Sequence, residues 1–355
     1  MTSSVSTGAA ISPDSGEHWA AEGAWPVAPG IHRIPLPLPM DGLKAVNVYA
    51  VEGDDGLTLI DGGWAIPVAR ELLDKCLRGV GSGFGDIRRF LVTHVHRDHY
   101  TMAAVLGEEY DADVALGIGE KPALDLLNNM SQLDANPFTE VLAAAGARDV
   151  ADEWTVGGRD EKLPPLEWWA YPNTWLDGDT TIDVGARALD AVHTPGHTPG
   201  HYVFADQANG LLFAGDHVLP TITPSIGFTV PADADPLGHF LASLTRVRSL
   251  PDLRILPAHG PVAPSSHARV DELLGHHEHR LELCLRSLRS RAASVAAVVA
   301  GDLGWTRHET PFDELDLFNR GMAAMETKAH LDLLVARGQV AATDHPDGVR
   351  YQLAQ

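Results

Sequence analysis

Thr93-His94-Val95-His96-Arg97-Asp98-His99 places three histidines and a carboxylate within six residues. Residues two apart in an extended or tightly turned segment point the same way, so His94 and His96 can offer their imidazoles to one metal ion. The last two residues of the stretch would then turn towards a second ion. The preceding run, Arg89-Phe-Leu-Val-Thr93, is apolar and β-prone. We therefore expect the cluster where a buried strand opens into a loop.

Three further strand-like runs end in histidine or aspartate. They are Val192-His193-Thr-Pro-Gly-His197-Thr-Pro-Gly-His201, Leu211-Leu-Phe-Ala-Gly-Asp216-His217 and Leu253-Arg-Ile-Leu-Pro-Ala-His259-Gly260. Each possible ligand stands after a short β-like run and beside Gly or Pro. A rigid sheet edge can hold ligands still in this way while loops carry the chemistry.

In these motifs the chain resembles the metallo-β-lactamase superfamily, over roughly residues 30 to 262 and in the same order. Besides the HxHxDH loop it has an early aspartate in Leu59-Ile60-Asp61-Gly62-Gly63, a Gly-His-Thr context at His197, an aspartate after Gly at 216 and a late histidine before Gly at 259. The resemblance implies an α/β protein whose catalytic domain is an αββα sandwich.

The resemblance also implies two sets of metal ligands. The first set would be His94, His96 and His197, and the second Asp98, His99 and His259, with Asp216 bridging both ions. In the family, Asp61 braces the HxHxDH loop without binding metal. We interpret His193 as a strand-end residue and His201 as a residue that supports the ligands or packs beside them. His217 either orients a ligand or touches substrate.

The ligand types indicate hydrolysis. Imidazole and carboxylate suit zinc but also iron and manganese, so we expect two divalent ions, zinc first, with iron or manganese as alternatives. Two ions about 3.5–4 Å apart can share a hydroxide, lower its pKa and polarise the carbonyl or phosphoryl under attack. The catalytic residues would be Asp98, which orients the nucleophile, and Asp216, which bridges the ions.

The charge distribution argues against a polyanionic substrate. Residues 261–355 contain ten Lys and Arg and thirteen Asp and Glu, a formal charge of −3, so residues 1–260 carry −19 of the total of −22. An enzyme of nucleic acids normally concentrates positive charge around its channel. We expect a small-molecule substrate and disfavour nucleic acid.

The remaining composition fits a cytoplasmic protein without a membrane partner. No segment has the unbroken apolar length that spans a bilayer, and residues 1–23 lack the basic start and apolar run of a signal peptide. We interpret them as a disordered lead-in. Cys76 and Cys284 fall in different predicted domains, so no disulfide is expected and a reducing compartment fits.

The segment from about 120 to 180 is longer than the fold needs and is rich in aromatic residues. These residues either line an apolar pocket over the metals or pack within the insertion itself. The residues we assign to a substrate pocket are Trp64, Tyr100, Trp168, Trp169 and Trp175.

Beyond the catalytic domain, assigned to 24–265, the pattern changes to three helices and two short strands. Helical patterns at 268–291, 293–300 and 321–337, followed by strands around Asp344-His-Pro-Asp-Gly348, resemble a winged-helix module at 266–355. Some hydrolases of this fold, including an endoribonuclease branch, carry such a module. Because the module is mildly acidic, we favour a lid or a homodimer contact over nucleic-acid binding.

Three functional classes remain at this stage. The first is hydrolysis of a small-molecule ester, thioester or lactone, and the second is a phosphodiesterase or endoribonuclease. The third is oxidation: diiron flavoproteins of this fold replace the second histidine with Glu and are disfavoured because His96 is retained. Mono-iron sulfur dioxygenases keep the histidines, and metal analysis separates them.

Overall fold

The computed structural model describes residues 10–39, 42–129, 137–157, 164–305 and 309–354 of the 355-residue chain. The chain divides into two compact units, each made of separate stretches. The sheet unit is Met1–Asn128, Pro164–Pro224 and Ser243–Asp271, and the helical unit is Asn129–Leu163, Ser225–Ala242 and Glu272–Gln355. The long insertion is thus shared between the two units, which the sequence did not indicate. The sequential boundary at 265/266 remains a prediction.

Seven strands of the sheet unit form a first sheet in sequence order. They are β1 (Trp25–Ala28), β2 (Ile31–Pro37), β3 (Ala45–Glu52), β4 (Leu57–Ile60), β5 (Ile87–Leu91), β6 (Asp113–Gly117) and β7 (Thr174–Leu176). β1 to β4 pair antiparallel and β4 to β7 pair parallel. Strands covered on both faces are largely apolar, and in β4 every residue is buried, including Thr58. Because β4 and β5 are parallel, the segments that follow them leave the sheet at the same edge.

Five strands form a second sheet in the order β12-β11-β10-β9-β8. They are β8 (Thr180–Val184), β9 (Arg187–His193), β10 (Tyr202–Asp206), β11 (Leu211–Gly215) and β12 (Arg254–Pro257). β11 and β12 pair parallel, whereas the other pairs are antiparallel. The parallel pair brings the residues after Gly215 and after Pro257 to one edge.

Two hydrophobic cores lie between the layers of the sheet unit. One lies between the first sheet and the helices α1 (Pro67–Gly79) and α2 (Arg97–Tyr110), and α3 (Lys121–Asn128) packs at its border. The other lies between the two sheets, where Tyr49 and Phe213 meet edge to face with ring centroids 5.4 Å apart. These layers form a mixed α/β sandwich, and the predicted fold class is confirmed.

The helical unit is built around a long helix near its C-terminus. Its elements are α4 (Phe138–Ala144), α5 (Arg148–Gly157), α8 (Ala296–Ala300), α9 (Leu317–Ala336), β13 (Val340–His345) and β14 (Gly348–Leu353). Two helices cross the boundary between units, α6 (Pro236–Arg248) and α7 (Ser266–Arg289). No described helix, including the 24-residue α7, is long and apolar enough to cross a membrane.

The order of α7, α8, α9 and the hairpin β13–β14 agrees with the predicted three helices and two strands. α8 begins at Ala296 instead of 293 because Ser294 pairs with Tyr351 through two backbone hydrogen bonds of 2.9 Å. Ser294 is therefore held extended. The winged-helix assignment itself stays a prediction.

The segment before β1 is fixed by buried polar contacts. The Oγ of Ser12 accepts a hydrogen bond from the backbone amide of Val262 at 3.1 Å. The carboxylate of Asp14 pairs with Arg33 at 2.9 Å, and neither side chain is exposed. The predicted disordered lead-in is therefore corrected for residues 10–23, while 1–9 lie outside the described residues. The Ser-, Ala- and Gly-rich composition did not indicate this ion pair, because Asp14 and Arg33 are 19 residues apart in the sequence.

Candidate metal centre

The structure brings all seven predicted ligands together in the sheet unit, at the edge where β5, β9, β11 and β12 end. Two groups of possible ligand atoms result, and the atoms of each lie within 4.8 Å of one another. The first group is His94, His96, His197 and Asp216, and the second group is Asp98, His99 and His259. α2 begins inside the HxHxDH loop, with His96 as its N-cap, and this turn sends the two halves of the loop to different groups.

The ligand atoms of the first group are spaced as the corners of a coordination polyhedron. The Nδ1 of His96 lies 2.9 Å from the Nε2 of His94 and 3.2 Å from the Nε2 of His197. Bonds of 2.0–2.1 Å in a tetrahedral zinc site give ligand-to-ligand distances of about 3.3 Å. Burial lowers the pKa of His94 well below its usual value, and burial lowers that of His96 to about 3. Both rings are therefore neutral at pH 7, the form that binds metal.

In the second group, nitrogen and carboxylate atoms surround a common centre. The Oδ2 of Asp98 lies 3.6 Å from the Nε2 of His99 and 3.4 Å from the Nε2 of His259. Burial opposes a charge on His99, but the carboxylates of Asp61, Asp98 and Asp216 outweigh it and raise its pKa to about 10. The group thus favours a positive charge, which a metal ion would supply.

Asp216 faces both groups, one with each carboxylate oxygen. Its Oδ2 lies 3.5 Å from the Nε2 of His197 in the first group. Its Oδ1 lies 3.6 Å from the Nε2 of His99 and 3.4 Å from that of His259. This is the position predicted for a bridging ligand.

Three buried atoms at this centre have no hydrogen-bond partner among the described residues. They are Nε2 of His99, Nε2 of His259 and Oδ1 of Asp216. Polar atoms left unpaired in a protein interior cost free energy. Because all three converge, a divalent cation would satisfy them together, so the residues present fit the implied metal.

Hydrogen bonds behind the rings point the Nε2 atoms of the second group inwards. The carboxylate of Asp61 accepts bonds from the amide of Thr93 at 2.8 Å and from its hydroxyl, and it lies 2.9 Å from the Nδ1 of His99. The Nδ1 of His259 donates to the carbonyl of Ala45 at 2.8 Å. A carboxylate or carbonyl behind a ligating imidazole fixes its tautomer, and the bracing role of Asp61 stays a prediction.

Three further histidines, His193, His201 and His217, were singled out in the sequence beside the predicted ligands. The Nε2 of His201 accepts a hydrogen bond from the backbone amide of Asp216 at 3.2 Å, and so holds the residue that faces both groups. His193 ends β9, and its Nε2 bonds the carbonyl of Pro199 at 2.9 Å, as a strand-end residue would. His217 is fully buried, and burial lowers its pKa to about 3.

Most aromatic residues assigned to a substrate pocket lie in or against a hydrophobic core instead. Tyr100 is fully buried with its hydroxyl donating to the carbonyl of Ala170, and Trp169 is 7% exposed. Trp168 and Trp175 pack against the same core. Apolar packing under the first sheet therefore accounts for these residues. Trp64 also contacts this core, and its ring lies 4.4 Å from the guanidinium of Arg97 in the HxHxDH loop.

Two supporting residues were missed by the sequence analysis. Asn47 in β3 donates from Nδ2 to the carbonyls of Pro257 at 2.9 Å and Gly260 at 3.0 Å, on both sides of His259. Glu120 is fully buried. Burial raises its pKa to about 7, although the hydroxyl of Thr198 and two backbone amides oppose the increase. A lone polar residue in an apolar strand was the available signal for Asn47, whereas Glu120 had none.

The family profile of the Metallo-beta-lactamase superfamily matches residues 41–259, which include all seven ligands. The chain belongs to this superfamily. It is 25% identical over 320 residues to the probable metallo-hydrolase YqjP of Bacillus subtilis (strain 168), covering 87% of this chain and 93% of that protein. The crystal structure of a metallo-beta-lactamase family protein from Thermus thermophilus is similar over 92% of this chain and 100% of that chain, with 29% identity and a TM-score of 0.74.

A third relative matches a smaller part of the chain. The atrochrysone carboxyl ACP thioesterase AgnL7 of Paecilomyces divaricatus is 28% identical over 160 residues, which cover 42% of this chain and 48% of that protein. The superfamily and the His/Asp groups together identify this chain as a metal-dependent hydrolase. The predicted family and enzyme class are confirmed.

Proposed function

We propose that the chain hydrolyses a small-molecule ester, thioester or lactone with two divalent metal ions. The observation that carries the proposal is the position of Asp216, whose two oxygens lie 3.5 Å and 3.4 Å from imidazole nitrogens of different groups. A carboxylate that serves one ion would not need both oxygens directed at histidines.

The first group would hold one ion and the second group the other, with Asp216 shared. We propose zinc, because five histidines and two aspartates form the centre and zinc accepts both ligand types. When bound, such ions lower the pKa of a shared water and polarise the carbonyl under attack.

The protein's own residues would then position the reactants. The side chain of Asp98 is 14% exposed, more than the other carboxylate of the centre at 9%, so it lies on the open side. Oδ2 is directed at the second group, and Oδ1 of Asp98 would accept a proton from the attacking water. That proton can then pass to the leaving alkoxide or thiolate.

Charge and likeness support a carbonyl substrate. The −19 formal charge of residues 1–260 disfavours long polyanions. The partial likeness to a thioesterase indicates that this sequence type is compatible with acyl–sulfur cleavage. We keep a lid or homodimer contact as the proposed role of the C-terminal module and the cytoplasm as the proposed location.

Steady-state assays against an aryl ester, an acyl thioester, a lactone and a short RNA test the proposal. We expect the protein to turn over a carbonyl substrate. A chelator should abolish this activity, and added zinc should restore it. Asp98→Ala should abolish that turnover while the protein stays folded by circular dichroism. Cleavage of RNA alone, or full activity of Asp98→Ala, would contradict the proposal.

A further inference from the structure

Glu120 holds the loop that follows His197 of the first group. It ends the 3-10 turn Ile118–Glu120 after β6, and its side chain is fully buried. Its Oε1 accepts a hydrogen bond from the hydroxyl of Thr198, the residue after His197.

The close packing of these segments is independent evidence for the connection. A Cβ added to Gly119 would lie 2.6 Å from the carbonyl oxygen of Pro199, and one added to Gly200 would lie 2.5 Å from the amide nitrogen of Glu120. Real Cβ atoms do not come this close to backbone. The turn and the loop after His197 are therefore in backbone-to-backbone contact, with little freedom for the carboxyl between them.

We propose that Glu120 is a positioning residue that fixes the loop carrying His197, and hence the metal affinity of the first group. The inference rests on the proposed two-ion site. The ring nitrogens of His96 and His197 are 3.2 Å apart, yet they belong to loops 101 residues apart in sequence. Glu120 holds one of these loops through Thr198 and belongs to neither group of ligands.

These contacts predict how substitutions of Glu120 should change the metal affinity of each group. Glu120→Ala removes the acceptor of the Thr198 hydroxyl, so the first group should lose affinity by about 10–100-fold, the range for residues that support metal ligands. The second group is braced through Asp61 and Ala45, so its affinity should stay within about twofold of the wild type. Glu120→Gln keeps the accepting Oε1 and should restore binding.

Cobalt titration of the metal-free protein, followed by visible absorption, tests this. His96→Ala identifies the binding phase of the first group. We expect Glu120→Ala to weaken that phase only and Glu120→Gln to bind like the wild type. Glu326→Ala is the matched control, since burial also raises the pKa of Glu326 but it lies in the helical unit. This control should leave both phases unchanged.

The proposal is overturned if Glu120→Ala binds cobalt like the wild type, or if it weakens both phases equally. Should Glu120→Ala not fold, Thr198→Val removes the donated hydroxyl and is expected to weaken the first phase by about tenfold. If the wild type binds a single cobalt, the two-ion proposal fails. In that case the role of Glu120 is supported if Glu120→Ala weakens the binding phase that His96→Ala abolishes, and it is contradicted if that phase is unchanged.

Discussion

Asp61→Asn should remove metal from the second group while the fold survives. Asp61 has a φ of 59°, in the left-handed region that Asn tolerates as well as Asp. The Asn Oδ1 can still accept from the backbone amide of Thr93, which lies 2.8 Å from that atom. The other position becomes an amide NH₂ facing the Nδ1 of His99, 2.9 Å away.

The consequence follows from the tautomers of imidazole. A neutral ring carries one proton, so an Nδ1 that accepts from the new amide forces the proton onto Nε2. That is the atom 3.6 Å from the carboxylates of Asp98 and Asp216, and a protonated nitrogen cannot ligate. We expect second-group affinity to fall about 10–100-fold, or about 1.4–2.7 kcal/mol. Stability should change by only about 1 kcal/mol.

Zinc competition with a chromophoric chelator measures the two affinities, and urea unfolding measures stability. Asp111→Asn is the matched control, since Asp111 has a φ of 56° but is exposed at the end of α2. It should leave both affinities unchanged. Wild-type affinity for two ions in Asp61→Asn would refute the assignment of His99 as a ligand oriented by Asp61.

Three further substitutions probe stability. Gly215→Ala should cost at least about 1–3 kcal/mol, because φ is 49° and the new Cβ would lie 2.7 Å from the Nε2 of His201; urea unfolding measures the loss. Arg33→Gln should cost about 3–5 kcal/mol by the same assay, since it leaves the buried carboxylate of Asp14 unpaired. Burial lowers the pKa of His330 to about 3, so its contribution is present above pH 6.5 and is lost as the pH falls towards 3. Between pH 7 and about 4.5 the wild type should therefore lose about 3 kcal/mol more than His330→Gln.

Each of these substitutions has a control elsewhere in the chain. Gly210 has a φ of 68° with nothing within 4 Å of its added Cβ, so Gly210→Ala reports backbone strain alone. Arg248 pairs with Asp271 on the surface, and Arg248→Gln should cost less than about 1 kcal/mol. His279 is exposed on α7, and His279→Gln should not change the pH dependence. A test variant that behaves like its control contradicts the corresponding argument.

The metal centre could be predicted because its ligands lie in recognisable sequence patterns. His94, His96, Asp98 and His99 are local, and their spacing alone indicates metal. Asp216 and His259 each follow an apolar strand, and the parallel pairing of those strands places them at one edge. Their assignment to two groups came from the family resemblance, and the structure brings together the same sets.

The supporting contacts could not be predicted because they depend on distant segments. Glu120 follows Gly117-Ile-Gly119, a stretch without a motif, and its importance appears only when the loop at Pro199 packs against it. Asp14 lies in a polar segment, and the periodicity of the sequence does not indicate its ion pair with Arg33. For Trp169 the aromatic content left a pocket and packing both open, and its burial in a core favours packing.

The metal content of protein purified without added metal tests the central claim most directly. Inductively coupled plasma mass spectrometry should find two zinc ions per wild-type chain, because Asp216 faces two groups of ligands. The same measurement on Asp98→Ala should find one ion, held by the first group. A single ion per wild-type chain, and a single iron above all, would contradict the dinuclear hydrolase.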